Sequence, residues 1–420
     1  MAREIKDSGI KWMGTIPVDW EISPVFKYFH DKIFLNLDYE FRYAFKFNYG
    51  TLKYKNELGD IDFYRNTYLK YIKVKKNDII INGLNLNYDF VSQRVAITPQ
   101  NGIITSAYIA MRPYGEQNTN YFCYLFKSMD NIKLFHGMGK GIRLTLSFDE
   151  LKRKRICVPR LPEQKAIADF LDKKCAEIDG LLADLEAEVK TLAEYKKSII
   201  AETVTRGLNP NAPMKQSGIP WAETIPAHWV SEKFRYKLKV RRVTGQGDKQ
   251  VLSVYREYCV VPKDSRDDNH NVTSEDTSKY KYVRPNDFVI NKMKAWQGSM
   301  GVSDYEGIVS PAYFVYGFSD DDYNPRYFHY FMRNANNIPE YRRLSGGIRE
   351  GQWDLSPYDL GNMPVIVPPK AEQNEIVAYL DEKCALLDKS ITDKQTQIET
   401  LKSYRSSLIY EYVTGKKRVI

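Results

Sequence analysis

The chain has 420 residues, enough for two or three domains, and its 43% hydrophobic and 27% charged residues describe a soluble globular protein. Lysines and arginines outnumber acids by 62 to 53, a moderately basic balance that suits a polyanionic partner without proving one. No apolar run reaches membrane-spanning length and the first residues are too charged for a signal peptide, so we expect a cytoplasmic protein. Five cysteines without a Cys-x-x-Cys spacing argue against a disulfide framework and a zinc site.

The opening segment carries turn residues and two tryptophans that return in the second half of the chain. The recurring residues are Ser8, Gly9, Ile10, Trp12, Thr15, Ile16, Pro17 and Trp20, matched 209 residues later by Ser217, Gly218, Ile219, Trp221, Thr224, Ile225, Pro226 and Trp229. Such a composition favours an irregular segment anchored by buried tryptophans over a catalytic one. The same offset returns in later motifs, so the whole chain is an internal duplication.

Two globular units follow from this duplication, the first at 21–155 and the second at about 230–365. In the first, strands are predicted at 44–47, 78–82 and 103–110, with a helix at 120–129. The ends of the two units agree at matched positions, whereas the loops between them, such as 83–101 against 292–306, share little. A common scaffold with two different variable faces is typical of recognition.

Two long helices follow the globular units and share one register. Glu163-Gln164 recurs as Glu372-Gln373, and about forty residues without a proline follow each pair. The predicted helix–helix seam comprises Leu171, Cys175, Ile178, Leu182, Leu192, Leu380, Cys384, Leu387, Ile398 and Leu401. Steps of three and four over several heptads favour a coiled coil, each helix being on the order of 60 Å long. One seam position breaks, where Lys394 matches Leu185, and such a lysine helps to fix register.

The expected fold class is therefore α+β or mixed, with two α/β globular domains separated by two long helices. If the halves are related by a two-fold, the helices pack antiparallel. The predicted boundaries are 1–159 for the first globular domain, 160–208 for the first helix, 209–367 for the second globular domain and 368–420 for the second helix.

No catalytic or metal-binding constellation is found. The methyltransferase target motif lacks its second proline at Asn209-Pro210 and Asn324-Pro325, and there is no phosphate-binding loop of the ATPase type. The glycine-rich stretch at 137–141 is better explained as a flexible turn than as a nucleotide cradle. The five histidines do not recur at duplicate positions, so structural or surface roles are the default for all of them: His30, His136, His228, His270 and His329.

DNA-binding signals are stronger than catalytic ones. Amide, basic and aromatic side chains follow a predicted strand in each unit, and arginines lie beside glycines further on. The candidates are Asn85, Asn87, Gln93, Arg94, Lys140 and Arg143 in the first unit, and Lys292, Lys294, Trp296, Gln297, Arg349 and Gln352 in the second. Such side chains pair with base edges and phosphates. Each stretch alone is more often a solvated loop, but recurrence at matched positions favours the DNA interpretation.

The organisation resembles the specificity subunit of type I restriction–modification systems. The residues that carry the resemblance are the Gly-Ile-x-Trp opening at 9–12, the Leu-Ser-x-x-x-Leu stretch at 146–151, and Val158-Pro159 before Glu163-Gln164-x-x-Ile167. They return at Gly218, Trp221, Leu355, Val367-Pro368, Glu372-Gln373 and Ile376. The first unit departs from the pattern where Arg143-Leu-Thr precedes the Leu-Ser stretch, which bears on its target sequence rather than on its class.

This resemblance implies two target-recognition domains, each recognising one half of a split, asymmetric duplex DNA site. It implies that the helices set the spacer and dock two methyltransferase subunits, which modify adenine at N6, and that endonuclease–translocase subunits join them. It also implies no catalysis and no cofactor in this chain: S-adenosylmethionine would serve the methyltransferase, and ATP with Mg²⁺ the endonuclease.

One alternative remains open, a scaffold whose globular units bind protein rather than DNA. Salt-sensitive binding to duplex DNA would separate the two interpretations. A single-chain methyltransferase is disfavoured because the cofactor and target motifs are missing. We also expect poor solubility of the chain without its methyltransferase partner.

Overall fold

The computed structural model describes residues 3–31, 33–55, 64–265, 273–274, 276–347 and 353–419. The chain divides into two compact units, one comprising 1–186 with 396–420 and the other 187–395. Each unit therefore combines one globular domain with a part of each long helix. The predicted boundaries separate globular from helical segments along the sequence, whereas packing joins the two kinds of segment.

The first unit alternates short strands with a few short helices. Its strands are β1 (Ile5–Asp7), β2 (Thr15–Pro17), β3 (Glu21–Pro24), β4 (Phe29–His30), β5 (Phe45–Asn48), β6 (Thr51–Tyr54), β7 (Tyr71–Val74), β8 (Ile79–Ile81), β9 (Val95–Ile97), β10 (Gly102–Thr105), β11 (Ile109–Pro113) and β12 (Arg155–Val158). Its helices are α1 (Arg65–Tyr68), α2 (Thr119–Asn131) and α3 (Phe148–Leu151), with 3-10 turns at Val25–Lys27 and Leu134–Gly137. The first long helix, α4 (Leu161–Arg206), follows.

The second unit has a similar set of strands and helices. Its strands are β13 (Met214–Ile219), β14 (Ala222–Pro226), β15 (Val230–Lys233), β16 (Leu238–Val240), β17 (Leu252–Tyr255), β18 (Cys259–Pro262), β19 (Lys281–Val283), β20 (Phe288–Asn291), β21 (Met300–Val302), β22 (Gly307–Val309), β23 (Tyr313–Phe318), β24 (Ser345–Gly346), β25 (Asp354–Leu355) and β26 (Pro364–Val367). Its helices are α5 (Phe234–Lys237), α6 (Pro325–Arg333), α7 (Ile338–Arg343) and α8 (Pro357–Asn362), with 3-10 turns at Lys263–Ser265, Lys292–Gln297 and Ala335–Asn337. The second long helix is α9 (Lys370–Val413).

The central sheets of the two units have the same strand order. In the first unit it is β4-β11-β8-β9, in the second β16-β23-β20-β21, and all neighbours are antiparallel. The smaller pairs match as well, β7 with β10 against β19 with β22, and β3 with β12 against β15 with β26. The predicted fold class, with its internal duplication, is confirmed.

The middle strand of each sheet is buried on both faces. In β8, Ile79 and Ile81 join the main core cluster, whereas Ile80 joins a smaller cluster on the opposite face. In β20, Phe288 and Ile290 take one face and Val289 the other. This follows from the two-residue period of a strand, and it explains why both segments are apolar throughout.

One predicted strand is wrong. The stretch 103–110 forms two strands, β10 and β11, because the chain turns at 106–108. The amide of Tyr108 donates to the carbonyl of Thr105 at 3.3 Å across this turn. The turn lets β10 pair with β7 while β11 enters the central sheet.

The repeated Glu-Gln pair fastens each long helix to its globular domain. The Trp20 indole donates to Glu163 Oε2 at 3.1 Å, and the Trp229 indole donates to Glu372 Oε2 at 2.8 Å. Gln164 is buried and its side chain accepts from the Asn118 amide at 3.0 Å. Many of the residues that recur 209 positions later therefore join the tryptophan segment, the globular domain and the long helix to one another.

The parts of α4 and α9 within each unit pack antiparallel. In the first unit, Phe170 lies against Tyr412 with ring centroids 4.5 Å apart, and nine residues later Asp179 pairs with Arg405. In the second unit, Glu188 pairs with Lys394 and Lys196 with Asp388. Partner numbers fall as helix numbers rise, which defines the antiparallel direction.

The predicted seam residues differ in how deeply they are buried. Six are buried, namely Leu171, Cys175, Ile178, Leu380, Cys384 and Ile398, and four are half-buried, namely Leu182, Leu192, Leu387 and Leu401. In the first unit, Leu171, Cys175 and Ile178 share one core cluster with Leu408, Ile409 and Val413 of α9. Lys394, at the broken seam position, has its ammonium paired with Glu188 of α4.

Candidate nucleic-acid interface

Two loops lie side by side in the first unit, one at 82–94 between β8 and β9 and one at 137–146 after α2. The Leu86 amide donates to the Leu144 carbonyl at 3.2 Å, and the Leu146 amide donates to the Gly83 carbonyl at 2.9 Å. A β-carbon on Gly83 would lie only 2.4 Å from the Leu146 carbonyl oxygen, so this close approach requires glycine. The candidate residues of the 82–94 loop and the glycine-rich stretch at 137–141 thus belong to one surface.

That surface presents both polar and apolar side chains to solvent. Asn85 and Arg143 are exposed, and Asn85 has a positive φ of 52°. Beside them Tyr88 is 77% exposed and Ile142 is 97% exposed. A surface with amide, guanidinium and apolar tips can make phosphate, base-edge and methyl contacts with a duplex.

Two further predicted residues are engaged within the unit. Asn87 Nδ2 donates to the Ile142 carbonyl at 3.4 Å, which ties the two loops together. Gln93 Nε2 donates to Asn131 Oδ1 at 2.8 Å, which ties the first loop to the end of α2. The oxygens Asn87 Oδ1 and Gln93 Oε1 are buried, so these two amides hold the surface in shape rather than extend from it.

Arg94 differs from its prediction as a DNA ligand. The residue is 1% exposed, and its guanidinium donates to three backbone carbonyls of its own loop, those of Asn82 at 3.1 Å, Leu84 at 2.8 Å and Asp89 at 2.8 Å. Because these donors point into the loop, Arg94 organises the candidate surface rather than extending from it. The same segment is held by His136, whose Nε2 lies 3.0 Å from the Asp89 carbonyl oxygen.

Lys140 lies on the second loop, largely exposed, with its ammonium 3.0 Å from Glu150 Oε1. Glu150 also caps α3 through the Ser147 hydroxyl and amide. The hydrogen bond from Ser147, together with Lys140, lowers the pKa of Glu150 to about 2. An exposed ion pair of this kind is weak, so a phosphate can replace the carboxylate beside Lys140.

The corresponding surface of the second unit is built from aromatic residues. The 3-10 turn Lys292–Gln297 packs against the β24–β25 hairpin, and the rings of Trp296 and Trp353 meet edge to face with centroids 5.5 Å apart. The Arg342 guanidinium carbon lies 5.8 Å from the Trp296 ring centroid and 5.4 Å from that of Trp353. Such cation–π contacts hold a cation on the surface at a defined place.

Polar candidates surround this aromatic pair. Lys292 Nζ lies 2.5 Å from Asp354 Oδ2, a lysine–carboxylate pair like that of Lys140 with Glu150, although these residues do not occupy duplicate positions. Lys294 is exposed and Gln297 is half-buried. Arg349 and Gln352 lie outside the described residues.

Several residues at these surfaces were missed by sequence reasoning. Trp353 and Arg342 complete the aromatic group around Trp296, and Asp354 and Glu150 hold the two lysines. Trp353 follows directly after the predicted Gln352, so a tryptophan within an otherwise polar stretch of sequence was the available signal. Arg342 lies in α7, and the sequence around it has no motif that indicates a binding site.

Metal-binding and membrane-spanning features are a separate question from DNA contact. Within the described ranges, no group of three or more His, Cys, Asp or Glu residues could hold a metal ion. No helix of those ranges is long and apolar enough to cross a membrane. The candidate surfaces therefore offer hydrogen bonding, charge and aromatic stacking as their chemistry.

Comparison with known proteins bears on what these surfaces bind. Residues 18–191 match the family model described as the type I restriction modification DNA specificity domain. The type I restriction enzyme StySPI specificity subunit of Salmonella potsdam is 21% identical over 324 residues, covering 72% of this chain and 68% of that protein. A Methanocaldococcus jannaschii protein, provisionally named the type I restriction enzyme MjaX specificity subunit, is 22% identical over 376 residues, covering 87% of this chain and 80% of its own.

A solved structure supports the fold. It comes from a study of complex assembly and conformational transition of the type I R-M system, and it aligns with a TM-score of 0.68 at 12% identity, covering 96% of this chain and 99% of that one. At this identity the likeness concerns the fold alone. Together with the family match and the two relatives, it confirms the resemblance predicted from the sequence.

Proposed function

We propose that this chain is a type I restriction–modification specificity subunit and that each of its two units binds one half of a bipartite, asymmetric DNA site. The observation that supports this most directly is the pairing of one scaffold with two surfaces. The central sheets share their strand order, yet the loops after β8 and β20 carry different side chains. Two different surfaces on one scaffold suit two different half-sites.

In this proposal the lysines and arginines bind phosphates and so position the duplex, while the amides recognise the bases. Lys140 and Arg143 in the first unit, and Lys292 and Lys294 in the second, would contact phosphates, which set register without sequence information. Asn85 and Gln297 would contact base edges, because amides match the donor and acceptor pattern of adenine in the major groove. Asn87 and Gln93, whose amides are engaged within the unit, would hold the loops in shape. Glu150 and Asp354 would give up their lysines to phosphate.

The long helices would set the unrecognised spacer and dock two methyltransferase subunits. Their antiparallel pairing within each unit supports a fixed relation between helix and globular domain, and charged residues such as Lys173, Glu186 and Lys389 keep exposed positions on the helices. Chemistry would then belong to the partners. The methyltransferase would use S-adenosylmethionine on adenine N6, and the endonuclease would use ATP and Mg²⁺, while this chain supplies no catalytic group.

A salt titration of the complex with its methyltransferase partner tests the DNA-binding part of the proposal. Affinity for duplex DNA is expected to fall steeply with salt, with a log–log slope of about −0.9 for each neutralised phosphate. A complex whose duplex binding is weak and independent of salt would favour the scaffold alternative, in which the units bind protein.

A further inference from the structure

The β5–β6 hairpin of the first unit carries features that the two candidate loops leave unused. We propose that this hairpin is a third DNA-contacting element, in which Tyr49 at the tip contacts the sugar–phosphate backbone and Lys46 and Lys53 contact phosphates. The inference rests on the proposed function and extends the surface of the first unit.

Tyr49, at the tip of the hairpin, has a backbone conformation that is unfavourable for a tyrosine. Asn48 pairs with Thr51, so Tyr49 and Gly50 form a two-residue turn, and both have positive φ, 43° and 77°. Positive φ at both positions defines a type I′ turn, for which Asn-Gly is the preferred sequence. A bulky residue with positive φ is strained, and such strain concentrates at functional sites. Tyr49 is 73% exposed, so packing within the unit returns little for this strain.

The hairpin is firmly attached to the unit, so its tip has a defined place. Phe45 is buried, and Phe47 and Leu52 pack against the same small cluster on the outer face of the central sheet. A β-carbon on Gly50 would lie 2.6 Å from Gln93 Cγ. The backbone of the tip therefore rests on a residue of the first candidate loop, and Tyr49 lies at the edge of that surface.

The outward face of the hairpin is basic. Lys46 and Lys53 stand directly opposite each other across the two strands and are both exposed. The two ammonium groups on this face are a suitable spacing element for a phosphate backbone that lies along it, because lysines contact phosphates irrespective of sequence.

The second unit has an equivalent hairpin with a different tip. The bridge from Ala44 to Ile103 corresponds to the bridge from Val251 to Ile308, and the turn between β17 and β18 has three residues, 256–258, instead of two. Arg333 ties this turn to the candidate surface, since its guanidinium donates to the Met300 carbonyl at 2.7 Å and to the Arg256 carbonyl at 2.6 Å.

The remaining side chains of the two hairpins differ. Ser253 opposite Val261 takes the place of Lys46 opposite Lys53. The lysine pair is therefore replaced by uncharged side chains in the second unit. The lysines make the contact of the first unit more salt-dependent than that of the second.

Tyr49→Asn in the complex with the methyltransferase tests the inference without endangering the fold. Asn-Gly suits a type I′ turn, so the thermal unfolding temperature should stay equal or rise. Affinity for duplex DNA carrying the target site should fall roughly two- to tenfold, on the scale of one hydrogen bond to the backbone. Tyr114→Asn, at a half-exposed tyrosine of the same unit, should leave affinity unchanged.

The lysines are tested by the double change Lys46→Gln with Lys53→Gln. The log–log salt slope should become shallower by about 1.8, at about 0.9 for each lost phosphate contact. Unchanged affinity in Tyr49→Asn, or an unchanged salt slope in the lysine variant, overturns the inference while the proposed function stands. If the unaltered complex shows no salt-dependent duplex binding, the proposed function fails and the hairpin inference fails with it.

Discussion

Lys196 on the first long helix donates hydrogen bonds to both carboxylate oxygens of Asp388 on the second, at 2.7 and 2.6 Å. The same bridge occurs in the other unit, where Arg405 Nε lies 3.0 Å from Asp179 Oδ1. Asp388 is Asp179 displaced by 209 residues, and Arg405 is likewise the counterpart of Lys196. Each helix therefore supplies the acid in one unit and the base in the other, as an antiparallel pair of duplicated helices requires.

This bridge allows a test of the helix pairing. Asp388→Lys should lower the free energy of unfolding of the second unit by roughly 1 kcal/mol or less, because the pair is exposed and two lysines would then meet. Adding Lys196→Asp should recover most of that loss. Urea unfolding of the two single variants and the double variant measures the coupling, and purely additive effects would show that the two side chains do not pair.

Gln373 provides a test of how the second helix is fastened. It is buried, its Nε2 donates to the carbonyls of Pro368 at 2.8 Å and Asp322 at 3.0 Å, and its Oε1 accepts from the Asn324 amide at 2.7 Å. Gln373→Ala should cost about 1–3 kcal/mol of unfolding free energy, because buried groups lose their partners. Gln395→Ala, at an exposed position of the same helix, is the control. Equal stability of the two variants would contradict this role.

Substitutions of Arg94 and Arg143 should have different effects, because Arg94 stabilises its loop and Arg143 is predicted to contact DNA. Arg94→Ala is expected to lower stability by about 2 kcal/mol, because three part-buried backbone carbonyls lose their donor. Arg143→Ala should leave unfolding unchanged and make the salt slope of DNA binding shallower by about 0.9. The assignment is wrong if Arg143→Ala binds DNA with an unaltered slope, or if Arg94→Ala is as stable as the parent protein.

A buried histidine predicts acid sensitivity of the second unit. The Val302 amide donates to His329 Nδ1 at 3.2 Å, and burial, aided by Arg333 and Arg326, lowers the pKa of His329 to about 3 from 6.5. Between these two pKa values His329 is neutral in the folded unit and protonated in the unfolded chain. The stability from this group is therefore complete above pH 6.5 and is lost progressively toward pH 3.

The loss should not exceed about 1.4 kcal/mol for each pH unit. His329→Gln removes the titrating group, so its unfolding free energy should depend less on pH between 6.5 and 3. Parallel pH profiles for the variant and the parent protein would show that His329 is not the group responsible.

The spacer proposal leads to a specific insertion. Leu171 is buried in the core of the first unit, so an added turn beside it would disrupt packing. The boundaries between the units at 186–187 and 395–396 are better places, since each long helix passes there from one unit into the other. Four residues added at both boundaries should lengthen the spacer by one to two base pairs, at about 1.5 Å per helical residue and 3.4 Å per base pair. Both half-sites should be unchanged; altered half-sites would contradict the spacer role.

The duplication and the framework could be predicted because repeated residues make repeated contacts. Glu163 and Glu372 recur because each accepts a hydrogen bond from a tryptophan indole, Trp20 and Trp229. A single sequence cannot distinguish an arginine that contacts DNA from one that binds its own loop, which is why Arg94 was misassigned. The strained tip at Tyr49 could not be predicted for another reason, since its positive φ depends on how two strands pair.

Mapping of adenine N6 modification tests the central claim most directly. DNA would be compared from cells that carry the methyltransferase partner with this chain, without it, and with a chain whose 292–299 loop is replaced. The account predicts a split motif that disappears without the chain and changes in one half alone when the loop is replaced. A motif that persists without the chain, or that changes in both halves on loop replacement, would contradict the assignment of one half-site to each unit.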